Sequence, residues 1–375
     1  MAEVKVEGFV ATGFERVREA FAENFRAGRE VGASFAVARD GALVVDLWGG
    51  FRDRARTQPW ARDTLVNVWS TTKGLAALCV ALLVERGKLS YEQTVASVWP
   101  EFAAGGKQSL TIVQLLSHQG GLSGLREPIA MRDYADHARI ARALAAQTPF
   151  FAPGQSGYHA ITHGFLAGEL VRRATGKTLG AFFRDEVARP LDADAWIGLP
   201  ETEDARAAEM IAPQGGPNMP LPEHPAARAA LGNPPLDPEV PNQRWWRAAE
   251  IPAANGHANA ASLARVYGML ARGGEHGGKR FLSRETLAEA TRERVQGTDL
   301  VLQVPVQWAA GWMLNGLGIY GENPHTFAHA GWGGSFGAAD PDAMLGIGYA
   351  MNQMYPNLMG DPRSLTLIAA TYASL

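Results

Sequence analysis

The chain has 375 residues, 46% hydrophobic and 19% charged, the balance of a globular protein and not of a disordered segment. Its 35 basic and 38 acidic residues leave a formal charge of −3, without the electrostatic footprint of a nucleic-acid binder or of a protein drawn to anionic membranes. This length exceeds what one hydrophobic core usually serves, so two domains, or one with a large insertion, are expected.

The opening "MAEVKVEGFVATGFERV" lacks the basic-then-apolar pattern of a signal peptide. The longest apolar stretch, 75–84, is shorter than the roughly 20 residues a bilayer span needs. Cys79 is the single cysteine, so no internal disulfide forms, and its helical, apolar surroundings suit a small buried residue. A soluble, cytoplasmic protein is expected.

"GFERVREAFAENFRAG" carries helical spacing up to Gly28. "GASFAVARDGALVVDLWGG" follows as two strands turning at Asp40-Gly41. "TLVNVW" is strand-like and leads into a helix running from Ser70 to Gly87. "LTIVQLLSH", "YADHARIARALAAQ", "ITHGFLAGELVRRATG" and "TLGAFFRDEVARPL" each have helical periodicity, with Gly176 as a stop. Nine prolines crowd 213–241, predicting a long ordered loop without regular helix. "NGHANAASLARVYGMLARGG" returns to a helix with Ser262 at its N-cap. "GWMLNGLGIY", "FAHAGWGGSFGAAD" and "AMLGIGYAMNQ" read as strands, and a helix near 364–373 closes the chain. Strands at both ends around a helical middle predict an α/β (α+β) fold: an antiparallel sheet flanked by helices, with an inserted all-helical lobe. The expected division is 1–94 with 201–375 as the α/β domain and 95–200 as the helical domain.

"VWSTTKG" contains the only Ser-x-x-Lys in the chain. Residues three apart share a helical face, so the Lys73 amine reaches the Ser70 hydroxyl. The unpaired N–H groups of the first turn favour a developing negative charge there. A lysine serves as base once desolvation lowers its pKa. A capping serine beside an exposed lysine is the plain alternative for so short a pattern. "FAPGQSGYHAITHG" sets Tyr158 between a Pro-Gly turn and a helix, where a phenol can relay a proton in a cleft or simply pack. "HAGWGGSFG", 329–337, is a glycine-rich strand whose N–H groups suit an oxyanion, or merely a bulged strand.

These motifs in this order resemble the serine β-lactamases and penicillin-binding proteins, whose Ser-x-x-Lys is characteristic. Together with "LLSHQGGLSGL" and "NGHANAASLARVYGMLARGG" they are similar to the class C β-lactamase-like esterases, the family VIII carboxylesterases, from about Gly32 to the final helix. The resemblance implies Ser70 as acyl-forming nucleophile, Lys73 as base and Tyr158 as partner in proton transfer. It implies a third motif at His329-Ala330-Gly331-Trp332, with an oxyanion hole from the N–H groups of Ser70 and Trp332. Two positions depart from the β-lactamases. Ala160 stands where they have asparagine in Tyr-x-Asn, and His329 where they have lysine in Lys-Thr-Gly. Both missing groups help hold a β-lactam, so hydrolysis of short-chain carboxylic esters is expected over β-lactam or amide cleavage, acyl transfer, or a silent binding role. Gln119, Phe150, Phe151, Trp245, Trp246, Trp332 and Gly333 are candidate pocket residues. No metal or organic cofactor is expected, and the partner is a small-molecule ester.

Three patterns point elsewhere. Gly333-Gly334-Ser335-Phe336-Gly337 satisfies G-x-S-x-G, but a strand and not a helix is predicted after it. Gly316-x-Gly318-x-x-Gly321 matches a dinucleotide fingerprint but opens no helix. His159 and His163 have zinc-helix spacing, but Ala160 stands where the catalytic glutamate would be.

Overall fold

The structure is a computed structural model and describes residues 4–215, 223–357 and 360–375. Its strands are β1 (Val6–Val10), β2 (Gly32–Arg39), β3 (Ala42–Gly50), β4 (Val295–Thr298), β5 (Pro305–Trp308), β6 (Met313–Leu314), β7 (Phe327–Ala330), β8 (Phe336–Asp340) and β9 (Leu345–Met351). They form one antiparallel sheet in the order β1-β3-β2-β9-β8-β7-β6-β5-β4. The β2–β9 pair joins the N-terminal hairpin to the C-terminal strands, so the sheet is built from both ends of the chain. A short sheet of Val66–Asn67, Gly256–Ala258 and Ala195–Ile197 lies apart from it.

The principal helices are α1 (Glu15–Arg26), α2 (Thr72–Glu85), α3 (His137–Ala146), α4 (Thr162–Thr175), α5 (Ala260–Ala271) and α6 (Pro362–Tyr372). None is long and apolar enough to cross a membrane among the described residues. Helices α1 and α6 pack together, and α5 packs on β2, β8 and β9. The pleat of β2 sorts its residues accordingly. Phe35 and Val37 join the main core, whereas Ala36 and Ala38 meet Ala260 and Ala264 of α5. Opposite them in register stand Gly348 and Gly346 of β9. A Cβ on Gly346 would lie 2.0 Å from Gly268 N and 2.3 Å from Ala264 O, so α5 touches the sheet backbone. Helix α2 is buried on almost every side, between α4 and β7, which explains its uniformly apolar sequence.

Several sequence expectations change. The Ser70 helix begins at Thr72, after a tight turn in which Ser70 O accepts from Lys73 N at 2.9 Å. The N-cap of α5 is Asn259, whose side chain accepts from Ser262 N, because "GHA" is a strand and the helix starts only at Ala260. Only Met313–Leu314 of "GWMLNGLGIY" is strand. Pro225–Gly232 is helical despite the crowded prolines: Pro225 occupies the first turn, where no N–H is required, and the next proline is Pro234. Pro217, Pro220 and Pro222 fall outside the described residues. The short strands β1, β4 and β5 were not legible as strands.

Because Gly346 meets backbone and not a flexible side chain, Gly346→Ala is expected to cost about 1–3 kcal/mol through overpacking. A urea midpoint equal to wild type would contradict this contact.

Candidate active site

Ser70 sits at the tip of a strained turn. Val66–Asn67 leads into Val68, whose N–H donates to Gly256 O at 2.8 Å, and Trp69 then takes a left-handed φ of 45°. A non-glycine residue there stays only when its surroundings hold it. Trp69 is clamped between Trp246 and Trp332, with ring centroids 5.7 and 5.0 Å away. Its neighbour Ser70 is partly exposed, while 64–69 and 71–83 are buried.

Lys73 is fully buried. Its Nζ lies 3.0 Å from Ser70 Oγ, 2.7 Å from Ala160 O and 3.0 Å from Ala253 O. Burial alone drives its pKa well below the ordinary lysine value of 10.5, and no carboxylate opposes the shift. A neutral amine has two N–H donors and one lone pair. The two carbonyls take the donors, which leaves the lone pair for the Ser70 hydroxyl.

Tyr158 lies beside the same pair, with Lys73 Nζ 4.7 Å from its ring centroid. Burial raises the phenol pKa, against a smaller opposite pull from hydrogen bonding with Ser70, so the phenol keeps its proton. Its loop is fixed by Asp299, which is fully buried and which sequence reasoning missed. Asp299 accepts from Tyr158 N at 3.0 Å, from Val301 N and Leu302 N at 2.8 and 2.9 Å, and from the Ser156 hydroxyl. Nothing in "QGTDLVLQ" marks that role, because all it shows is one acidic residue beside a strand. Gln119 serves the same loop by accepting from Gly154 N at 3.1 Å.

The third motif comes against this turn through Gly331, where a Cβ would lie 2.2 Å from Val68 O. Ser335 is buried and staples the two segments, donating to Val68 O at 2.8 Å and lying 3.1 Å from Thr71 Oγ1. The N–H of Gly331 is spent on Ser335 O and that of Gly334 on Gly331 O, and Trp332 follows Gly331 in the turn. His329 Nδ1 is 2.9 Å from Ala330 O, which can only accept, so Nδ1 carries the hydrogen. Burial pushes the His329 pKa down to about 3 and keeps it neutral.

A cleft of about 50 Å³ is lined by Ser70, Tyr158, Leu302, Trp308, Met313 and the segment 329–332. Of the expected pocket residues only Trp332 lines it, with Gly331 and His329 of the third motif. Gln119, Phe150, Phe151, Trp245, Trp246 and Gly333 do not. Trp246 is fully buried behind Trp69, with Nε1 donating to Asn67 at 3.1 Å, and Trp245 packs edge-on against it. Phe151 packs under Gly157, and Arg126 lies over the Phe150 ring. Gly333 turns its carbonyl to Arg363 at 2.8 Å. Leu302, Trp308 and Met313 take the wall positions instead. They are distant in sequence and carry no motif.

His159 Nε2 accepts from Leu122 N at 3.1 Å and His163 Nε2 meets Leu116 O at 3.2 Å, so the pair is tied to separate backbone groups. Among the described residues no three His, Cys, Asp or Glu side chains gather as metal ligands. Gly316 to Gly321 leads through turns into β7 and opens no helix.

The arrangement unites a half-exposed hydroxyl, a buried amine and a protonated phenol, which is what acyl transfer requires. Comparison with known proteins agrees with the fold. A solved family VIII carboxylesterase is 49% identical, with a TM-score of 0.95, covering 99% of this chain and all of that one. A penicillin-binding protein homologue from Caulobacter crescentus is 45% identical with a TM-score of 0.94, over 99% of this chain and all of its own. Esterase/beta-lactamase LipL of Mycobacterium tuberculosis is 40% identical over 95% of this chain and 85% of its own. Esterase EstB of Burkholderia gladioli is 30% identical over 96% of this chain and 95% of its own. The Beta-lactamase family matches residues 17–370. With that match along nearly its whole length, the chain belongs to the beta-lactamase family.

Proposed function

We propose that the protein is a carboxylesterase that cleaves short-chain acyl esters through an acyl-enzyme on Ser70. The observation that carries this reading is the fully buried Lys73 amine 3.0 Å from the hydroxyl of a half-exposed serine. Lys73 takes the Ser70 proton as the oxygen attacks the ester carbonyl. The N–H groups of Ser70 and Trp332 receive the oxyanion. Tyr158, holding its proton, passes it to the departing alcohol and is reprotonated through Lys73. Water then repeats the sequence on the acyl-enzyme, releasing the acid and restoring Ser70. No step requires a metal or organic cofactor.

The cleft lies where the two proposed domains meet. The 1–94 and 201–375 part supplies Ser70, Lys73 and His329 to Trp332, and the 95–200 part supplies Tyr158. The small cleft supports a short acyl chain, and its uncharged lining supports a neutral ester. The Mycobacterium tuberculosis relative is named esterase/beta-lactamase LipL, which makes β-lactam cleavage the second reading. Ala160 and His329, standing where asparagine and lysine would grip that substrate, weigh against it. A cytoplasmic location belongs to the same reading: Cys79, the single cysteine, is buried and needs no oxidising compartment.

The nucleophile is tested by a fluorophosphonate probe and peptide mapping. Ser70→Ala should abolish both turnover and labelling. Ser335→Ala should keep the label on Ser70 while losing about 1 kcal/mol of stability for the broken staple. An adduct on Ser335 would overturn the assignment.

Substrate class is tested by comparing p-nitrophenyl acetate with a chromogenic cephalosporin. The ester is expected to have a kcat/KM at least about a hundredfold higher, which corresponds to about 2.7 kcal/mol of transition-state discrimination. Equal values would favour the second reading.

The base is tested by pH. Because the Lys73 pKa is lowered, its free amine is populated well below 10.5, and activity should rise with pH through a limb below that value. The limb belongs to the Ser70–Lys73–Tyr158 group as a coupled unit. Lys73→Arg keeps a cation that does not deprotonate and should be nearly inactive once circular dichroism confirms folding. Near wild-type turnover in that variant would show that lysine is not the base.

A further inference from the structure

A second concavity adjoins the cleft. It has a volume of about 270 Å³ and lies between the β4–β5 hairpin and the turns after β6. Pro305, Val306, Leu314, Leu317 and Ile319 give it an apolar lining, and no charged residue takes part. Met313 lines both this groove and the cleft at Ser70, so a single side chain stands between the two. Leu317 stands at its rim and is 49% exposed, a large apolar side chain left facing water. At that end the Gln307 side chain packs directly on Gly316, where a Cβ would lie 1.9 Å from Gln307 Oε1.

The groove lies on the Tyr158 side of the serine. Tyr158 stacks on Trp308 with centroids 5.7 Å apart and parallel within 14°, and Trp308 pairs in register with Met313. The phenol delivers the proton to the leaving oxygen, so the alcohol half of the ester lies beside Tyr158 and points along Trp308 and Met313. We propose that this groove is the subsite for an apolar alcohol moiety, making the preferred substrates short-chain acyl esters of medium-length or aryl alcohols. The inference rests on the esterase reading and adds the side of the ester that carries the specificity. Each methylene that enters such a lining leaves water, and apolar pockets discriminate between homologues on that basis.

The test is two homologous ester series assayed in a pH-stat. One runs from ethyl to hexyl acetate, lengthening the alcohol, and the other from ethyl acetate to ethyl hexanoate, lengthening the acid. Wild-type kcat/KM is expected to rise at least about tenfold along the alcohol series and not along the acid series. Leu317→Asp puts a charge at the rim of the groove, at an exposed position away from Ser70, Lys73 and Tyr158. It should erase most of that rise while leaving ethyl acetate unchanged, and Leu317→Phe should preserve the rise. A flat alcohol series with intact ester turnover, or a Leu317→Asp effect confined to the acid series, would overturn the groove assignment alone. Absence of turnover on every ester would overturn the esterase reading and the groove with it.

Discussion

The buried amine of Lys73 constrains everything around it. Its partners come from three separate segments: Ser70 before α2, Ala160 ahead of α4, and Ala253 before the short sheet. An ammonium in this position would lose its hydration with no anion to compensate, a penalty that an isolated charge in a protein interior escapes by losing its proton. The surroundings agree with a neutral state. Burial pushes His118 and His163 well down, takes His159 and His329 to about 3, and raises Tyr158, so each of these groups is uncharged near neutrality. The interior of the site is therefore a dry, uncharged environment in which fixed N–H and O–H dipoles act strongly on a developing oxyanion.

The same constraint explains the turn at Ser70 and the third motif packed against it. The hydroxyl must face substrate while the amine three residues later stays dry, and the chain manages this by placing Trp69 in a left-handed conformation between two other tryptophans. Ser335 and the absent side chain of Gly331 then allow the turn to close on Val68. Ser335 satisfies a nucleophile pattern in one dimension, yet its hydroxyl is turned inward as a staple. Strand-to-strand context was the legible sign of that difference.

What the sequence revealed was local. Ser70 and Lys73 are three residues apart, Tyr158 follows a Pro-Gly turn, and His329 to Gly337 is one continuous stretch, so spacing alone presents them as groups. The sheet built from both termini was legible for a similar reason, because β2, β3, β8 and β9 alternate or run apolar over five or more residues. The remainder depends on contacts between distant segments. Asp299 reaches 141 residues back to Tyr158, and Leu302, Trp308 and Met313 form the wall only after β5 and β6 pair. Trp245 and Trp246 were conspicuous as an adjacent pair, but conspicuous aromatics pack in cores as readily as they line pockets, and Trp246 is buried. Proline density misled at 225–232 because only position within a helix, and not number, decides whether proline breaks it.

The cation closest in sequence to the third motif on its C-terminal side is no exception to the uncharged character of the cleft. Arg363, at the start of α6, donates to Gly333 O, one residue from Trp332. Its guanidinium is 2% exposed and already engages Asp361 at 2.6 Å, Glu30 at 3.0 Å and the carbonyl of Gln353 at 2.8 Å. Arginine charge committed in this way holds the turn and is not offered to a ligand, because releasing it would strand Glu30 and Asp361 in the interior. With lysine replaced by a neutral His329 and asparagine by Ala160, no residue lining the cleft carries a positive charge toward a substrate carboxylate. An uncharged lining of this kind supports the proposed esterase reading, because an ester, whose carbonyl needs only a nucleophile and oxyanion donors, loses least from those absences.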